Sequence, residues 1–157
     1  MKSLIKLIFG NDFFDEEKPK CNFQKSLNVY KQEFEIDQYF ILSESYDIYY
    51  YSKYSYKIPE KILKKFKNKT VIWLDSGTNL LGFSNQQHCL LFPINGIEKF
   101  IITNIPHSKT YGESFLSIKL FEEKHKITLV NSVPNEFDEY AGEIKNISKI
   151  DVVFETF

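Results

Sequence analysis

A single alanine, Ala141, stands among 18 isoleucines, 15 phenylalanines and 10 tyrosines in a chain of 157 residues. That imbalance constrains the fold more than any motif does. Helix interiors favour Ala and unbranched side chains, whereas β-branched and aromatic side chains fit a pleated, half-buried surface. Leu, Ile, Val and Phe make up about a third of the chain, well above the level at which a core fails to form. The length suits one domain spanning residues 1–157. The expectation is an α+β domain, mainly antiparallel sheet with two or three short helices.

Local patterning fills in that frame without an internal repeat or a linker. An amphipathic helix over residues 2–9, with Leu4, Ile5 and Ile8 together, leads into a polar stretch over 11–22. Residues 35–43 and 46–52 read as two strands about a tight turn at Glu44 and Ser45. Pro59 suits a first helical turn and opens a helix through Lys67. Ile58, Ile62, Leu63 and Phe66 share one face of it, and lysines take the other. Short strands follow at 70–74, 80–83, 88–93 and 100–105, with turn chemistry at 75–79. Residues 114–121 and 126–130 pair across the charged turn 122–125. After Pro134, Phe137, Tyr140, Ala141 and Ile144 give helical spacing over 135–147, and 151–157 closes as a strand.

The formal net charge of −1 hides opposed blocks. Residues 11–47 hold nine acids against four lysines, 53–69 seven lysines against one acid, and 131–157 six acids against two lysines. Separate acidic and basic surfaces steer a charged partner and orient it. All 20 basic residues are Lys. Without a guanidinium fork there is no bidentate grip on phosphate or a guanine edge, so a nucleic-acid partner is disfavoured.

Cys21 and Cys89 are isolated, with neither C-x-x-C nor a histidine at ligand spacing. A reduced, cytoplasmic setting follows, with no metal and no cofactor expected. The apolar N-terminal run is broken by Lys6 and lacks a small-residue cleavage site. Residues 76–97 carry no formal charge, but Asn79, Asn85, Gln86, Gln87 and Pro93 argue against a membrane span.

Catalytic candidates are few. V-I-W-L-D-S-G-T-N at 71–79 resembles the active-site signature of aspartic proteases, in which Asp75 would be the catalytic aspartate. That chemistry needs two carboxylates sharing a proton, so a single copy implies a homodimer. No second Asp-Thr/Ser-Gly is present, and D-S-G-T-N is equally an ordinary hairpin connector. His88 and Cys89 are strand neighbours whose side chains point to opposite faces, which prevents a nucleophile–base pair. His107 and His125 fall in a loop and a turn. A non-enzyme is the expectation.

The most distinctive stretch is residues 46–56, where Tyr46, Tyr49, Tyr50, Tyr51, Tyr54 and Tyr56 crowd eleven positions. On a strand they alternate, so both faces carry phenol rings. A core uses one face. The other presents large amphipathic rings of the kind enriched at protein interfaces.

In size, charge blocks and aromatic content the chain resembles small cytoplasmic immunity proteins of bacterial toxin systems, including contact-dependent growth inhibition. That resemblance implies a non-catalytic protein that binds and blocks a cognate toxin domain, such as a nuclease. Asp12, Asp15, Glu16 and Glu17 would then match a basic cleft, and Tyr49, Tyr51, Tyr54 and Tyr56 would supply anchors. A second resemblance competes. Strands, a charged turn and a helix bearing Phe137, Tyr140 and Ala141 look like the second half of a pleckstrin-homology-like domain, which implies a lipid- or peptide-binding module. The strand at 151–157 departs from that order.

Overall fold

The computed structural model describes residues 34–106 and 112–156. The helix expected over 2–9 and the polar stretch over 11–22 lie outside them, as do Asp12, Asp15, Glu16, Glu17, Cys21 and His107.

Eight strands form two four-stranded sheets. The first runs β1 (Gln38–Ile41), β2 (Val71–Asp75), β3 (Leu80–Ser84), β4 (Cys89–Pro93), antiparallel throughout. The second has the order β7-β6-β5-β8, built from β5 (Ile97–Ile105), β6 (Glu113–Leu120), β7 (Ile127–Ser132) and β8 (Val152–Thr156). Strands β5 to β7 form an antiparallel meander, and β8 lies parallel to β5. A parallel neighbour requires a crossover connection. The chain supplies it with a 3-10 turn at Asp138–Tyr140 and helix α2 (Ala141–Ser148). Helix α1 (Glu60–Lys65) lies between β1 and β2 in sequence. The α+β, mainly antiparallel architecture is the one the composition implies.

Every residue of β2, β3 and β4 is buried, so the first sheet is covered on both faces at these three strands, while the edge strand β1 is largely exposed. Register partners share a face, which groups Trp73 with Tyr39 and Gly82, and Ile72 with Phe40 and Phe83. The Trp73 face is covered by Phe34, whose ring lies 5.4 Å from the indole and 5.6 Å from Tyr56. Phe66, the C-cap of α1, packs 4.9 Å from Tyr39 on that side. The opposite face carries Phe40 against Tyr140 at 5.6 Å and leads into one hydrophobic cluster with Phe100, Leu116, Phe137 and Ile144.

One close approach demands glycine. The Trp73 indole lies over Gly82, where an added Cβ would stand 2.0 Å from Cε2. Trp73 Nε1 donates to Ser84 Oγ at 2.9 Å, which holds the ring there.

Four expected elements differ. Residues 46–52 form no strand, and the hairpin about Glu44 and Ser45 does not exist. Their backbone bonds are divided among unrelated partners, so no ladder builds. Tyr46 N–H donates to the Thr70 hydroxyl at 2.8 Å and Tyr49 N–H to Leu129 O at 2.9 Å. The strand expected over 35–43 shortens to β1. Helix α1 stops at Lys65 because Phe66 leaves helical dihedrals (φ −119°, ψ 54°) and Asn68 takes a left-handed φ of 57°. The helix expected over 135–147 begins as a 3-10 turn and becomes α-helical only at Ala141.

Candidate partner-binding surface at the tyrosine segment

Residues 46–56 lace the outer edge of one sheet to the outer edge of the other. On β7, Tyr49 N–H bonds Leu129 O, and the Tyr51 hydroxyl donates to Thr128 O at 2.8 Å. On β4, Tyr56 N–H donates to Cys89 O and Leu91 N–H to Tyr54 O, both at 2.9 Å, around the isolated bridge Ser55↔Leu90. Two sheet edges that would otherwise expose unpaired peptide groups are thereby covered.

At the start of the segment Tyr46 is buried against Phe137, with ring centroids 5.3 Å apart. Its hydroxyl donates to Glu136 Oε2 at 2.5 Å and lies 3.1 Å from the Tyr140 hydroxyl. The Tyr140 oxygen also accepts Ser43 N–H at 3.1 Å and sits 2.5 Å from Ser43 Oγ. Burial, and then the carboxylate of Glu136, push the Tyr46 phenol pKa well above its ordinary value.

At the other end, Tyr54 N–H closes a turn onto Tyr51 O at 3.0 Å and the Tyr54 ring enters the core beside Phe92, 5.0 Å away. Its hydroxyl donates to Glu123 Oε2 at 2.6 Å. Burial first, and Glu123 second, raise this phenol pKa far above normal. Lys53 Nζ stands 4.0 Å from the same carboxylate oxygen. An open cleft of about 420 Å³ lies here, lined by Tyr50, Tyr51, Ser52, Lys53, Tyr54, Glu123 and Ile127.

The expected anchors therefore separate. Tyr49 is exposed, Tyr51 and Tyr56 are half-buried, and Tyr54 is only 2 % exposed. Tyr54 is a core residue, because the turn at 52–54 breaks the two-residue period and swings its ring inward. The most exposed ring of the segment is Tyr50, at 60 %, standing 5.6 Å from the His88 ring. Strand alternation would place Tyr50 and Tyr54 on one face, so it offered no signal for separating them. Glu123 carries no distinguishing signal in the sequence, being one acid in a charged turn.

The other candidate residues are locally committed. Asp75 is 3 % exposed, its Oδ2 accepting Glu35 N–H at 3.0 Å and its Oδ1 accepting Thr78 N–H at 3.2 Å. Asp37 reciprocates by accepting Ser76 N–H at 3.0 Å, and bonds from Ser76 hold its carboxyl below the usual range. These bonds tie the start of the described chain to the β2–β3 turn, where Asn79 takes a left-handed φ of 62°. Cys89 is fully buried, whereas the half-buried His88 faces Tyr50. Among the described residues, no three His, Cys, Asp or Glu side chains group to hold a metal ion. No helix among them is long and apolar enough to cross a membrane.

The chain belongs to the PM0294 C-terminal domain family, whose model matches residues 26–157. That span takes in the tyrosine segment, both sheets and both helices. No solved structure matches the chain.

Proposed function

We propose that this protein works by stoichiometric binding, as a cytoplasmic immunity protein that occludes a cognate bacterial toxin domain without catalysis of its own. The observation that carries this reading is the exposure of Tyr49 and Tyr50 on a backbone pinned to two sheet edges, beside an open cleft. Rings held this way lose little freedom on binding, and tyrosine provides contact area together with a polar tip. Asp12, Asp15, Glu16 and Glu17, outside the described residues, would attract a basic partner. The local commitments of Asp75 support a binding role over a peptidase one.

Co-expression with a candidate toxin domain, sought first in the reading frame beside this chain, tests the proposal. The wild type should rescue growth and co-purify with the toxin. The double variant Tyr49→Ser/Tyr50→Ser should keep its fold and lose both properties. A wild-type chain that neither binds nor rescues sinks the reading.

A further inference from the structure

The tyrosine surface leaves the basic block of the sequence unexplained. Lys57, Lys61, Lys64, Lys65, Lys67 and Lys69 are all exposed, and none forms an ion pair among the described residues. Glu60 is the one carboxylate within residues 53–69. On α1 the buried side is Ile62 with Phe66 beyond it, so Lys61, Lys64 and Lys65, spaced i, i+3, i+4, project together from the other side. Beside them the same face of the first sheet runs out uncovered at β1. There Tyr39 is 44 % and Ile41 37 % exposed, and Lys65 Nζ stands 5.6 Å from the Tyr39 ring centre.

We propose that this surface, α1 with its flanking lysines and the exposed Tyr39 and Ile41, docks reversibly on an anionic lipid membrane. Its charges are ammonium groups on flexible stems, exposed and outside any ion pair among the described residues, which suits attraction to a field of mobile headgroups. A folded acidic protein would present carboxylates at fixed positions, for which six exposed lysines, none held in an ion pair among the described residues, are poorly prepared. Single-stranded nucleic acid needs a groove with several stacking rings, and this convex helix offers one tyrosine at its border. Tyr39 and Ile41 fit the remaining requirement, since a phenol settles at the headgroup level and an aliphatic side chain enters the acyl boundary. The inference is independent of the toxin-binding reading, which uses the surface around Tyr49 and Tyr50.

Full-length protein is mixed with phosphatidylcholine vesicles with and without phosphatidylglycerol, and the bound fraction is read by co-sedimentation. Binding should require the anionic lipid and should fall steeply as salt shortens the screening length. Each lysine near an anionic leaflet is worth about a fivefold gain in partitioning, so Lys61→Gln/Lys64→Gln/Lys65→Gln should weaken binding at least about tenfold. Tyr39→Ser/Ile41→Ser should weaken it while leaving the salt dependence unchanged. Lys57→Gln/Lys67→Gln, outside the helix, checks the same charge effect without touching α1. No binding to anionic vesicles, equal binding to neutral ones, indifference to the lysine variants, or tighter binding to a single-stranded oligonucleotide at the same salt each overturn the proposal.

Discussion

The Tyr54 hydroxyl donates a 2.6 Å hydrogen bond to Glu123 Oε2, joining residues 69 positions apart where the tyrosine segment meets the β6–β7 turn. The donor is 2 % exposed and the Glu123 side chain 16 % exposed, so water replaces this bond poorly. The contact anchors the inner wall of the cleft and leaves Tyr50 as its outer rim.

Tyr54→Phe keeps the ring in its place against Phe92 and removes the donor. The loss should be about 1.5–3 kcal/mol, the usual cost of a hydrogen bond to a charged group. Tyr50→Phe, at an exposed position, should change stability by less than about 0.5 kcal/mol. Denaturant midpoints of the two variants check the contrast, and equal shifts would refute it.

Alkaline pH should unfold the protein cooperatively. Burial first, then Glu123, raises the Tyr54 phenol above its ordinary 10.0, and burial acts in the same direction on Tyr46, Tyr51 and Tyr56. A folded-state pKa raised in this way leaves stability intact below pH 10, where both states hold the proton. Above it the unfolded chain ionises and the fold cannot, so stability drains by about 1.4 kcal/mol per pH unit for Tyr54 alone. Phenolate absorbance should show a step coincident with loss of circular dichroism. Ionisation of all the phenols before unfolding contradicts the burial.

Tyr140→Phe should cost about 1–3 kcal/mol, because one hydroxyl serves Ser43 N–H, Ser43 Oγ and the Tyr46 hydroxyl. Glu136 meets the same cluster through Tyr46. A double-mutant cycle with Glu136→Gln should therefore return a coupling of about 0.5 kcal/mol or more. Additive effects would show two separate contacts in place of one network.

Residues whose structure is decided locally were the legible ones. Strands β2 to β7 follow apolar runs bounded by Gly, Asn and charged turns, and fall within a few residues of their expected places. Residues 46–49 do alternate between buried and exposed, yet no strand results, because the Tyr46 and Tyr49 N–H groups find partners on two different elements distant in sequence. Nothing in residues 151–157 says that β8 lies parallel to β5; the crossover through α2 decides it. The candidate site was half legible for the same reason. Tyrosine density pointed to the segment, while the turn at 52–54 and the bond to Glu123 decide which rings reach solvent.

Cys89 should be inert. It is fully buried, and burial pushes its thiol up to about 12, outweighing an opposing hydrogen bond from Ser84. A thiol reagent acts on an accessible thiolate. In a Cys21→Ser background at mild pH, the native protein should therefore leave the reagent unconsumed and the denatured protein should titrate one thiol. Rapid modification of the native chain would place Cys89 elsewhere.

Gly82→Ala probes the closest packing in the first sheet. The new Cβ would meet Trp73 Cε2 at 2.0 Å, Cζ2 at 2.2 Å and Nε1 at 2.5 Å, so the indole must move. Trp73 is wholly buried and its Nε1 bonds Ser84 Oγ, so displacement breaks that bond and strains the layer formed by Phe34 and Tyr56. Overpacking together with the lost bond should cost about 2–4 kcal/mol. Trp73 is the one tryptophan in the chain, so its emission reports the event directly and should shift to the red. Trp73→Phe removes the larger ring at its own cost, and adding Gly82→Ala to it should then cost less than it does in the wild type. Full additivity, with unchanged emission in Gly82→Ala, would mean that the indole does not rest on Gly82.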